Sequence, residues 1–65
     1  MKKFVFNVST EEPATSNVIL VEVLDEKLCD PPKLFAWFIQ DAIEKFMDGP
    51  CKIDVYWEGG GLTSG

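Results

Sequence analysis

The chain has 65 residues, 46% of them hydrophobic, and its 11 acidic side chains against 6 basic ones leave a formal charge of −5. That length holds one domain with a thin stability margin, and the apolar share excludes global disorder. All six basic residues are lysines and histidine is absent, which removes the bidentate phosphate and guanine reader, the usual neutral-pH acid–base group and the commonest metal ligand.

Residues 2–9 (KKFVFNVS) alternate, with Phe4, Phe6 and Val8 on one side and Lys3, Val5 and Asn7 on the other. The spacing predicts a half-buried strand. The opening Met1-Lys2-Lys3 leads into this alternation and not into an apolar run, and no apolar run approaches the ~20 residues that span a bilayer. A soluble cytoplasmic (intracellular) protein with no membrane partner is therefore expected.

Residues 10–16 (TEEPATS) are polar, contain Pro13 and read as a loop longer than a two-residue turn. Residues 17–24 (NVILVEVL) predict a second strand, with Ile19, Val21 and Val23 on one face and Val18, Leu20 and Leu24 on the other, interrupted by Glu22. A strand apolar on both faces is usually covered on both.

Residues 30–49 (DPPKLFAWFIQDAIEKFMDG) carry the one strong helix signal. Asp30 can accept from the free N–H groups of the first turn, Pro31 suits the first helical position, and Gly49-Pro50 marks the stop. At about 100° per residue, Phe35, Phe38, Ile39, Ala42 and Phe46 share a stripe with Ile43 on its shoulder, the face expected to cover a sheet. Residues 51–57 (CKIDVYW) alternate again, with Cys51, Ile53, Val55 and Trp57 opposed to Lys52, Asp54 and Tyr56. The last eight residues (EGGGLTSG) hold four of the five glycines.

The expected fold is α+β, a small β-β-α-β domain in which a three-stranded sheet carries one helix on one face. Residues 1–58 make the domain and 59–65 a flexible Gly-rich tail. Strand three can lie beside strand two in parallel, or beside strand one in an antiparallel sheet of order 2-1-3. The two apolar faces of strand two favour a central place for it, and so the first arrangement.

Chemistry finds little purchase. Cys29 and Cys51 bracket the helix, whose length separates them by roughly 25 Å. A disulfide needs Cα atoms within about 7 Å, so both thiols are expected reduced. Two distant thiols do not make a metal site. TEEPATSN lacks the alternating oxygen ligands of a calcium loop, Ser9, Ser16 and Ser64 have no partner base, and the glycines at 59–61 lack the helix or lysine of a phosphate loop. The reading is a protein that is not an enzyme and has no cofactor.

Two surfaces stand out instead. On the helix side opposite the core stripe, Trp37, Asp41, Glu44 and Asp48 fall within roughly 60° of arc, with Asp30 continuing the line. Lys33 and Lys45 lie at the edges, where they are not expected to cancel the row. Such a face is either a solvated polar surface with one incidental aromatic, or a docking face anchored by Trp37 and steered by carboxylates. The second surface is the sheet face away from the helix, where Val5, Val18, Leu20, Leu24 and Tyr56 are rimmed by Lys3, Glu22, Lys52 and Asp54.

These features imply a non-enzymatic binding module that docks on the basic groove of a larger, nucleic-acid-binding protein, as a nucleic-acid mimic or a steric block, while its own charge argues against direct nucleic-acid binding. In size, acidity and lack of catalytic groups it looks like the small phage-encoded antagonists of host defence, anti-CRISPR and anti-restriction proteins among them. The partner-binding candidates are Trp37, Asp41, Glu44 and Asp48, then Glu22 and Tyr56, with Glu11 and Glu12 weaker. The alternative is a structural or accessory subunit, or a homodimer, packed through Val5, Val18, Leu20 and Leu24.

Overall fold

The computed structural model describes residues 1–47 and 49–63, the last of these by its backbone alone. The protein is α+β, with one helix and an antiparallel sheet: β1 (Lys2–Glu11), β2 (Ala14–Val23), a 3₁₀ turn (Glu26–Cys29), α1 (Pro32–Phe46), β3 (Lys52–Trp57) and β4 (Gly60–Thr63). Among the described residues the sheet has four strands, not three, in the order β2-β1-β3-β4.

Alternation along β1 and β3 translates directly into burial. Phe4, Phe6 and Val8 of β1 stand opposite Trp57, Val55 and Ile53 of β3, and five of these six are buried beneath α1. Phe4 is the aromatic hub, its ring centroid 4.9 Å from that of Phe35 on the helix and 5.7 Å from that of Trp57, both tilted. Tilted contacts at such distances add to the area term of burial. Cys29 and Ala36 complete the buried core.

β2 does not take the central place its two apolar faces suggested. β1 does, because its pairing with β2 runs from Lys2↔Val23 to Glu11↔Ala14, leaving only Glu12 and Pro13 as the turn. The segment read as a seven-residue loop is thus mostly strand. Thr10 and Thr15 face each other there, their hydroxyls within hydrogen-bonding reach, and the Thr10 hydroxyl also donates to the Pro13 carbonyl. β-Branched residues paired across a strand end extend the ladder that polar composition alone argues against.

β4 forms from glycines expected to trail as a tail. A two-residue turn, Glu58-Gly59, connects it to β3, and Gly59 has φ +91°. A Cβ at Gly60 would come within 2.9 Å of the Trp57 indole, and one at Gly61 within 2.8 Å of the Val55 carbonyl oxygen. Glycine here permits close approach of two strands, and Leu62 follows to pack against the core.

The helix also departs from expectation. Asp30 does not cap it. Pro31 occupies the cap position without a side-chain hydrogen bond, and Asp30 ends the preceding 3₁₀ turn. Asp25 is the capping carboxylate of that turn, accepting from the Lys27 N–H at 3.0 Å. The helix is rotated so that Phe35, Ala36, Ile39, Ile43 and Met47 meet the sheet, while Phe38, Ala42 and Phe46, assigned above to the core stripe, are exposed. Fully buried Ala36 explains the choice, because a small side chain lets the helix axis approach the sheet where a phenylalanine would hold it off.

Candidate protein-binding surfaces

The rotation of α1 determines what its outer face displays. Leu34, Trp37 and Phe38 are 59%, 62% and 72% exposed. With Gln40, Asp41 and Glu44 they line a shallow depression of about 360 Å³. At 100° per residue, residues 34, 37, 38 and 41 share the solvent side of about two turns, so apolar and acidic groups are interleaved on a single arc. Leu34 and Phe38 are therefore members of this surface that the sequence reading missed. Their signal was present as a second apolar arc through positions 34, 37 and 38, beside the arc that docks.

The carboxylates here are less free than their spacing implied. Lys45 reaches Asp41, Nζ to Oδ2 3.0 Å, against the expectation that it would leave the acidic row uncancelled. Both side chains are exposed, and one helical turn suffices to bring a flexible lysine stem back over its neighbour. Glu44 accepts a longer hydrogen bond from Gln40 Nε2 at 3.4 Å. Asp48 lies outside the described residues.

Glu22 and Tyr56 do not join this site. They belong to the opposite side of the molecule, the sheet face away from α1. There the pairing aligns Leu20, Val5 and Tyr56 across β2, β1 and β3, with Gly61 of β4 beside Tyr56. Glu22 stands opposite Lys3, and Val18 opposite Asn7. Val5 is half-buried at the middle of the row, whereas Val18, Leu20 and Tyr56 are exposed. Leu24, one position past the end of β2, is exposed as well. Glu11 and Glu12 sit at the tip of the β1–β2 hairpin, apart from both surfaces.

Both cysteines are free thiols, Cys29 buried and Cys51 half-buried, and Cys29 Sγ donates to the Glu26 carbonyl at 3.4 Å. Among the described residues, no three acidic or thiol side chains converge as a metal site would require, and no helix is long and apolar enough to cross a membrane. No family model, no curated protein and no solved structure matches the chain.

Proposed function

We propose that this protein is a non-enzymatic binding module of the inhibitor type, which lays the outer face of α1 on a larger partner. The observation that carries the reading is the exposure of Leu34, Trp37 and Phe38 together around the depression edged by Asp41 and Glu44. Three large apolar side chains on one helical arc are anchors of the kind a partner's groove takes up, and tryptophan is the residue most enriched among energetic hot spots. The carboxylates at their edge, in a chain of charge −5, favour a lysine- and arginine-rich surface such as a nucleic-acid-binding groove. With Asp41 already held by Lys45, blocking such a groove with apolar contacts fits the face better than imitating a row of phosphates. The type is that of a phage-encoded antagonist of host defence, acting in the cytoplasm of the cell that makes it.

The test is capture on the immobilised protein followed by competition. The expected partner is basic, and its nucleic-acid binding falls as this protein is added. Trp37→Ala weakens that competition by about 2 kcal/mol or more, some 30-fold. Joint Asp41→Asn and Glu44→Gln changes slow association and flatten its salt dependence. Unaltered competition by Trp37→Ala, with the fold intact by circular dichroism, would refute this use of α1.

A further inference from the structure

The two edges of the sheet are built differently. β4 is four residues long and starts with two glycines, a short blunt edge that offers little to another strand. β2 is ten residues long, ATSNVILVEV, with no proline, no lysine and one charge, Glu22. It is bonded to β1 along one side through its whole length, and among the described residues no strand pairs with its other side. Its first seven residues, Ala14–Leu20, are all exposed. A long edge without the usual protections is a template for strand addition, since alternate N–H and C=O groups face outward.

We propose that the strand added to β2 is β2 of a second copy of this chain, paired antiparallel across a two-fold axis at Ile19, so that two four-stranded sheets join as one. The sequence of the strand selects this occupant. Turned end for end about Ile19, β2 sets Val18 opposite the second copy's Leu20, and Leu20 opposite its Val18. These are the two outer-face side chains left 68% and 54% exposed in the single chain. The same alignment sets Asn17 opposite Val21 and each Glu22 opposite a serine, Ser16, so the only charges on the strand do not face each other. Directly opposed residues of antiparallel strands share a face. The apolar row Tyr56-Val5-Leu20 therefore continues onto the second copy's Val18. A two-fold axis makes the interface self-complementary, and both helices stay on one side with their outer faces open. The pairing uses no residue of α1 and stands or falls apart from the docking reading.

The experiment is sedimentation equilibrium of the full chain, under reducing conditions, from about 10 µM to about 1 mM, a range that brackets weak to moderate association. The expected mass rises from 7.3 kDa towards twice that value. Val18→Lys combined with Leu20→Lys sets ammonium groups opposite one another and weakens self-association at least tenfold, with an unchanged dilute melting profile. Tyr56→Lys, on the sheet face but away from the edge, leaves the dimer in place. Amide hydrogen exchange of the unaltered chain reads the same contact without any substitution, and slows in Ala14–Val23 as concentration rises. A wild-type chain monomeric throughout, a double-lysine variant that dimerises as before, a dimer dissolved by Tyr56→Lys, or protection that grows elsewhere than in β2 would each overturn the proposal.

Discussion

The two faces of the sheet are made by the same strands and differ in what covers them. On the inner face Phe4, Phe6, Val8, Ile53 and Val55 are all buried under α1. On the outer face Val18, Leu20 and Tyr56 occupy strand positions of similar apolar character and remain exposed. Strand alternation assigns a residue to a face, but a residue contributes burial free energy only where a second layer lies over that face. One helix supplies one layer. The outer face is therefore available for binding at little cost to the fold, while the inner face carries most of its stability.

The sharpest way to break this contrast is to truncate one member of each face. Phe6→Ala is expected to cost about 3–5 kcal/mol, most of the roughly 3–10 kcal/mol that a chain this short commands. Its urea midpoint should collapse or its fold be lost. Leu20→Ala, measured at low concentration, should stay within about 0.5 kcal/mol of the parent. Comparable losses at the two sites would mean that the outer face is covered in the single chain. Intermediate in size, Gly61→Ala drives a Cβ against the Val55 carbonyl oxygen and should cost about 1–3 kcal/mol, read as faster amide exchange in β4. If Gly61→Ala were neutral, the glycines of β4 would be ordinary flexible residues and not a means of close approach. The smallest effect belongs to Lys45→Ala. Loss of the exposed pair with Asp41 should change the melting free energy by a few tenths of a kcal/mol, and by less in high salt.

The outer face of the helix teaches the same lesson as the outer face of the sheet. Trp37 was legible as an exposed aromatic because its arc also carries Asp41 and Glu44. Leu34 and Phe38 were not, because the helix has two apolar arcs and periodicity alone does not say which one meets the sheet. Lys45 was read as peripheral from its angular position, which ignores the reach of a four-carbon stem one turn away. Glu22 and Tyr56 were legible on the sheet face away from the helix, where alternation put them and where the register of β1, β2 and β3 aligns them, apart from the helix candidates named beside them.

By itself the sequence determined the class, one helix against a sheet, and the face parity of β1, β2 and β3, since alternation is a property of each strand alone. It also marked where the helix must stop. Gly49 does adopt φ +115°, in the region that favours glycine, although the helix proper ends at Phe46. Strand order was decided only by the tertiary structure. The long β1–β2 hairpin, with its two-residue turn, and the return of β3 to the free side of β1 make β1 the central strand. The β1–β3 pairing joins residues far apart in the chain, and no local pattern encodes it. The fourth strand belongs there as well, because Gly60 and Gly61 become strand residues only when β3 is present to receive them. So does the rotation of α1, where the small volume of Ala36 matters only against the sheet it touches.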